Sequence, residues 1–248
     1  MAINPYDPVM KAALAERIRH VRENIAAAAL AAGRNPSEIT LIGVSKFFPS
    51  EAALAAVQCG LTDLGENRVQ EMLGKIDDLA AAGQKTNWHL IGTLQKNKVR
   101  LIIGRTYLIH SVDSESLLEE IGRRSAAQGL ITDVLLQVNT AGEETKHGFE
   151  PEELARAAEL ALSVSGIRLR GLMTMAPLLA DPEDTLPVFD RTRSFYDKLA
   201  DSLKGSAEID CLSMGMSHDY IQAIRCGATH VRIGSAIFGP RPAAPENL

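Results

Sequence analysis

Eight short apolar runs, each separated from the next by a helix-forming stretch, constrain the fold of this chain more than any other feature. The runs are Thr40–Ser45, Asp63–Gly65, Trp88–Gly92, Tyr107–Val112, Thr132–Val138, Leu169–Thr174, Cys211–Met214 and His230–Ile233. Their length and content are those of buried parallel strands. Between them, Ser50–Cys59, Arg68–Ala82, Lys96–Ile103, Ser114–Gln128, Pro151–Ser163, Leu186–Leu203 and Ser217–Cys226 read as helices. Ser114 precedes an acidic first turn, and Pro151-Glu152-Glu153 reads as a first-position proline followed by acids that favour the helix N-terminus. A further helix, about 8–32, comes before the first strand. Its Leu14, Ile18, Val21 and Ile25 recur at three or four residues, and Gly33 suits the stop.

Eight strands alternating with helices predict one α/β domain over residues 1–248: a (β/α)8 barrel across about 39–239, with the extra N-terminal helix. The length of 248 residues is close to the roughly 250 typical of such barrels. A doubly wound open sheet is the competitor. It usually needs fewer strands, and no Gly-x-Gly-x-x-Gly follows the first strand here.

Composition narrows the function classes. Net charge is −5 with both signs spread along the chain, and no basic run or Arg/aromatic patch indicates a nucleic-acid partner. Cys59, Cys211 and Cys226 are odd in number and form no Cys-x-x-Cys, which fits a reducing compartment. Residues 1–8 lack a basic segment followed by an apolar one, and no uncharged apolar stretch reaches about 18 residues. The expected location is therefore cytoplasmic, with no membrane partner. No His/Cys/Asp/Glu cluster has metal spacing, and no Ser-His-Asp arrangement is readable from residue order.

In such a barrel, chemistry sits at the C-terminal ends of the strands. That rule selects Lys46, Glu66-Asn67, Thr93, Asp113, Asn139, Met175, the turn from Ser213 to Ser217, and Gly234-Ser235. Lys46 ends the first strand and is followed by Phe47-Phe48-Pro49. An amine held there is poorly solvated, so its pKa is expected to fall towards neutrality, and neutral amines attack carbonyls. The plainer reading is a lysine that caps the strand and reaches solvent. The run from Arg232 to Gly239 places glycine and serine where backbone amides meet a ligand, and barrels often bind phosphate after strands seven and eight. Leu212-Ser213-Met214-Gly215-Met216-Ser217 opens the preceding helix, with Ser217 as its N-cap. The plainer reading there is an ordinary loop with a capping serine. An amine and a phosphate cradle that become neighbours on closure suit one small molecule carrying an aldehyde and a phosphate. Pyridoxal 5′-phosphate is that molecule; a phosphorylated sugar in a Schiff-base aldolase is the runner-up.

Seven ordered motifs carry a resemblance. They are Val44-Ser45-Lys46, Gly65 to Glu71, Trp88 to Lys98, Lys146-His147-Gly148-Phe149, Arg170-Gly171-Leu172-Met173, Leu212 to Ser217, and Arg232 to Gly239. From Ile39 to Gly239 the chain resembles the pyridoxal phosphate homeostasis protein family, which is related to the barrel domain of alanine racemase. Two departures are small: Phe47-Phe48 stands where the family more often has polar residues, and Ser235 stands where threonine is usual. The resemblance implies that Lys46 holds pyridoxal phosphate as a Schiff base, with Asn67 near the ring or its 3′-oxygen. It further implies that Ser213, Ser217, Gly234 and Ser235 hold the phosphate and that Arg232 faces the pyridine nitrogen. A permanent cation there disfavours protonation of the ring and weakens it as an electron sink. Met173 either covers a ring face or fills core. His89 reads as a satisfied core histidine rather than a base, and Trp88 as packing. Glu66 either faces the site or pairs with Arg68 or Lys96.

Three functions follow from these residues. The chain binds, stores and delivers the cofactor, with apo-enzymes as recipients and an effect on amino-acid balance; or it is a racemase; or it is an aldolase. In alanine racemase relatives a facing acid or base comes from a separate C-terminal domain. This sequence ends at Leu248, soon after the last strand, so the binder, a monomer or weak dimer and not an enzyme, is the expectation.

Overall fold

The computed structural model describes residues 7–142 and 147–240. Lys146 of the fourth motif, the first six residues, and Arg241-Pro242 with the tail lie outside the described residues. Strands β1 (Thr40–Val44), β2 (Asp63–Glu66), β3 (Asn87–Leu90), β4 (Leu108–Val112), β5 (Thr132–Gln137), β6 (Ile167–Met173), β7 (Cys211–Ser213) and β8 (His230–Ile233) form a closed barrel in chain order. Every neighbouring pair is parallel, and β8 closes on β1 with Ile42 opposite Arg232. The alternation therefore folds as the sequence indicates, with strand ends shifted by only one or two residues.

The helices are α1 (Pro8–Ala31), α2 (Ser50–Gln58), α3 (Val69–Ala81), α4 (Lys96–Ile102), α5 (Glu115–Ala126), α6 (Leu154–Ser163), α7 (Leu186–Ser202), α8 (Tyr220–Arg225) and α9 (Ser235–Phe238). Single 3-10 turns, each opened by proline, precede β1, α6 and α7. In α1 the Asp7 carboxylate accepts from the amides of Val9 and Met10, satisfying donors that the first turn leaves free. The chain leaves α1 at Gly33 with φ +68, a value glycine adopts without penalty. The helix after β8 is only one turn long. α1 packs against α8, α9 and α2 and so fills the vacant place in the outer ring. The Arg17 guanidinium donates to the Ile237 carbonyl at 2.5 Å and ties α1 to α9.

Two chemically different cores result. Between barrel and helices the packing is aliphatic, with Leu64, Leu90, Ile109, Leu136, Leu172, Leu212 and Ile233 all buried. Inside the barrel the alternate residues are mixed. Leu108, Leu135, Met173 and Cys211 form a small apolar cluster. Beside it His89, His110, Ser213 and Arg232 are also buried. Barrel interiors are usually filled by branched aliphatics, so this polar column needs a reason. No described helix is long and apolar enough to cross a membrane, and no group of three or more metal-binding side chains is assembled among the described residues.

Candidate functional site

A cavity of about 470 Å³ opens at the C-terminal end of the barrel. Lys46 enters it from the end of β1 and is partly buried. The next residue, Phe47, has φ +70 and is the one non-glycine residue with a left-handed backbone among those described. That conformation costs on the order of 1–3 kcal/mol, and such strain persists where surrounding structure holds it. It turns the chain sharply at the strand end and leaves the Lys46 ammonium 5.7 Å from the Phe47 ring centroid. Phe48 packs on Phe238 of α9, with ring centroids 5.4 Å apart. The turn after β1 and the loop after β8 are thus held side by side.

A buried ion pair fixes the ends of β1 and β2. Lys75 of α3 is 4% exposed; its amine donates to the Ser45 carbonyl at 2.7 Å and bonds the Glu66 carboxylate. The Ser45 hydroxyl donates to the same carboxylate oxygen at 2.6 Å. Lys46 and Asn67 each follow a member of this triad. Glu66 therefore faces α3, not the cavity, and its partner is Lys75 rather than Arg68 or Lys96. Burial holds the Glu66 carboxyl above the usual carboxylate range, against the pull of Lys75 and Ser45. Its second oxygen is buried without a hydrogen-bond partner.

The loops after β7 and β8 form the opposite wall. Gly215 has φ +92, and a Cβ there would lie 2.6 Å from the Ala223 Cβ, so the turn of Leu212–Ser217 requires glycine. Ser217 does not cap the next helix, which starts at Tyr220 behind Asp219. Its hydroxyl instead accepts from the amides of Gly234 at 3.1 Å and Ala236 at 3.4 Å. Asp219 takes over the local turn by accepting from the Met216 amide at 2.6 Å. A hydroxyl before a helix usually bonds within its own turn; here a second loop offers better-placed donors.

Arg232 lines the floor. It is 4% exposed, donating from Nη1 to the Ser213 hydroxyl at 2.5 Å and from Nη2 to the Thr174 carbonyl at 2.8 Å. Burial lowers its pKa to about 10, with the Asp219 carboxylate pulling the other way, so it stays charged at neutral pH.

Of the residues singled out in the sequence, Lys46, Asn67, Thr93, Met175, Ser217, Arg232, Gly234 and Ser235 line this one cavity. Ser213 lies beneath Arg232, and Met173 lies in the apolar cluster below the floor. Met175, two residues on, supplies the methionine at the wall. Asp113 sits 3.6 Å from His147, and Asn139 donates to Glu150 at 3.1 Å. His89 is fully buried with both ring nitrogens bonded, and Trp88 packs into the outer core. Lys75 and His110 escaped sequence reasoning. The signal for His110 was a polar pair, His110-Ser111, inside a strand whose other residues are apolar.

The sequence profile of the alanine racemase N-terminal domain matches residues 12–242. A pyridoxal phosphate homeostasis protein of Aquifex aeolicus is 43% identical over 226 residues, spanning 91% of this chain and 97% of its own. A protein of the same name from Pseudomonas aeruginosa is 41% identical over 228 residues, spanning 92% and 96%. Among solved structures, PipY of Synechococcus elongatus with PLP bound matches with a TM-score of 0.79 at 33% identity, covering 91% of this chain and 100% of that one.

Proposed function

This chain belongs to the alanine racemase N-terminal domain family and, within it, to the pyridoxal phosphate homeostasis proteins, and from that premise we propose that it binds pyridoxal phosphate at the mouth of its barrel and hands it on without turnover. The observation that carries the reading is one cavity lined by Lys46, Arg232 and the Ser217/Gly234/Ser235 corner. The amides of Gly234 and Ala236 converge on a neutral hydroxyl, an arrangement a phosphate oxygen would satisfy more strongly. A Cβ at Gly234 would meet the Val44 carbonyl at 3.4 Å, an ordinary contact, so alanine fits there and only larger side chains would fill the corner.

In this reading Lys46 would hold the aldehyde end of the group through its amine. Asn67 would stand beside the ring, Ser217, Gly234 and Ser235 would hold the phosphate, and Arg232 would meet the ring nitrogen. Met173 and Ser213 act from below, the first as core and the second through Arg232. The bound group supplies an electrophilic aldehyde and an electron-withdrawing ring. Arg232 weakens the second property by disfavouring protonation of the ring nitrogen. An aldolase would want a second amine in the cavity, and Lys75 is spent on Glu66 behind the wall. The racemase reading has no comparable observation in its favour.

The test is absorbance of the protein with pyridoxal phosphate before and after borohydride, with peptide mapping of the reduced adduct. A visible band that borohydride removes, mapping to Lys46 and absent from Lys46→Ala, supports the site. A main adduct at another lysine rejects it. A chiral amino-acid assay run beside apo-enzyme reactivation separates binder from racemase. Sustained turnover at roughly 1 s⁻¹ or faster, abolished by Lys46→Ala, overturns the non-enzyme reading.

A further inference from the structure

The polar column inside the barrel is a single hydrogen-bonded line that ends on Arg232. The Asp63 carboxylate, at the start of β2, lies 3.0 Å from His89 Nε2. His89 Nδ1 lies 2.9 Å from His110 Nε2, and His110 Nδ1 lies 2.8 Å from the Ser213 hydroxyl. That hydroxyl receives Arg232 Nη1 at 2.5 Å.

The charged groups at the two ends set the sense of the line. A guanidinium only donates, so the serine oxygen accepts from Arg232, and its own proton is available to His110 Nδ1. A neutral His110 then carries its proton on Nε2 and donates to His89 Nδ1. His89 in turn carries its proton on Nε2 and donates to Asp63, which as a carboxylate only accepts. In this arrangement each imidazole holds its proton on Nε2. Burial, with His89, His230 and Arg232 nearby, keeps His110 well below the usual histidine range. His230 stands beside the line, 6.3 Å by ring centroid from each of the two, and burial lowers it to about 4. Other titratable neighbours are Tyr107, 5.4 Å by ring centroid from His89, Cys211, whose thiol burial raises to about 12, and Asp219 near Arg232. The column thus runs from the Asp63 carboxylate at one end to the Arg232 guanidinium at the other.

We infer that Asp63, His89, His110 and Ser213 are positioning residues that hold the Arg232 guanidinium towards the cavity, and so set the protonation of the ligand ring, from the opposite end of the barrel. Arg232 needs such a hold because no carboxylate among the described residues forms an ion pair with it. Without the serine hydroxyl aimed by His110, only the Thr174 carbonyl holds the fork against the pull of Asp219. The inference rests on the reading that the cavity takes pyridoxal phosphate.

Two experiments test it, the first without ligand. Histidine-selective 15N NMR of the apo-protein is expected to show His89 and His110 as neutral Nε2–H tautomers across roughly pH 6 to 8. An Nδ1–H tautomer or a doubly protonated ring at either position overturns the relay. The second follows the pH midpoint of the visible band of the loaded protein. Arg232→Met is expected to raise the midpoint, because the cation that opposes protonation is gone. His110→Phe is expected to raise it part of the way, by about half a pH unit. In the double variant, His110→Phe is expected to add nothing to Arg232→Met. A purely structural histidine would lower the melting temperature and leave the midpoint in place, and that result, or an additive double variant, overturns the inference. If His110→Phe does not fold, the tautomers of the unaltered protein decide the case. If the unaltered protein forms no borohydride-sensitive band, the ligand reading fails while the tautomer result still stands for the relay.

Discussion

Arg170, at the N-terminal end of the barrel, donates to two carboxylates; Arg232, near the C-terminal end, donates to a hydroxyl and a peptide carbonyl. Arg170 bonds Asp210 with a two-pronged contact and Asp133 at 2.8 Å, and Arg168 completes the group by gripping Asp133 with two bonds of 2.7 Å. The bond to Asp210 raises the pKa of Arg170, whereas burial lowers that of Arg232. At the lower end, charge meets charge and little field is left over. At the upper end, a buried cation is satisfied geometrically by neutral oxygens, and its positive potential stays available to whatever enters the cavity. Two arginines in one barrel interior therefore do different work: one closes the barrel floor and one is kept for a ligand. The Glu66–Lys75 pair belongs with the first kind, since it holds the strand ends that carry Lys46 and Asn67.

If that contrast is right, breaking a matched charge pair should cost stability and leave ligand chemistry alone. The largest effect is expected at Lys75→Met. It strands Glu66, which is fully buried, and should cost about 3–5 kcal/mol in urea unfolding. The pH dependence has a definite sign. A raised folded pKa means the folded state binds the Glu66 proton more tightly than the unfolded chain does. That contribution is present below the unfolded value of about 4.3 and lost as pH rises through the folded one. Lys75→Met removes the counter-pull, so its stability should fall more steeply with rising pH than that of the unaltered protein. Adding Glu66→Gln should recover most of the loss. A double variant as unstable as the single one would mean that Lys75 acts by packing rather than by charge.

Arg170→Met comes next. Its side chain keeps 18% exposure and Asp133 retains Arg168, so the expected cost is smaller, about 2 kcal/mol. The visible band of the loaded protein should be unchanged in position and in pH midpoint. Arg232→Met should show the reverse pattern. The apo-protein should lose about 1 kcal/mol or less, because an unmatched buried cation leaves along with two neutral hydrogen bonds. The ligand band, by contrast, should shift its midpoint upward. Equal stability losses at the two arginines, by denaturant melts of apo-protein, would erase the distinction.

How far this site could be read from sequence follows from what carries the information. The barrel was legible because strand and helix alternate at short range and each element has its own period and punctuation. Lys46, Asn67, Ser217, Gly234 and Ser235 were legible as strand-end residues, since a barrel brings all such ends to one mouth, whereas Arg232, inside β8, entered only through the resemblance. The Glu66–Lys75 pairing was not: Lys75 lies nine residues on in α3, and nothing local says which cation turns inward. The column from Asp63 to Arg232 was not legible either. Its members come from β2, β3, β4, β7 and β8, and they meet only when register sets which residues face the axis. The capping bond expected of Ser217 is not made, because its partners, Gly234 and Ala236, belong to another loop.

The smallest expected effect sits at that serine and sharpens the comparison most. The Gly234 and Ala236 amides are donors held by a neutral oxygen, as Arg232 is. Ser217→Ala removes the oxygen and leaves two amides without an acceptor. Both bonds are long, so the apo-protein should lose only about 0.5 kcal/mol. An anion in the corner would satisfy the same amides, and more strongly than a hydroxyl does. Saturating inorganic phosphate, and pyridoxal phosphate in turn, should therefore close the stability gap between Ser217→Ala and the unaltered protein. Pyridoxal without phosphate should leave the gap open. Thermal melts with each of the three additions decide the matter: a gap that persists under phosphate and pyridoxal phosphate alike would mean that the corner is a loop–loop clasp and not an anion site.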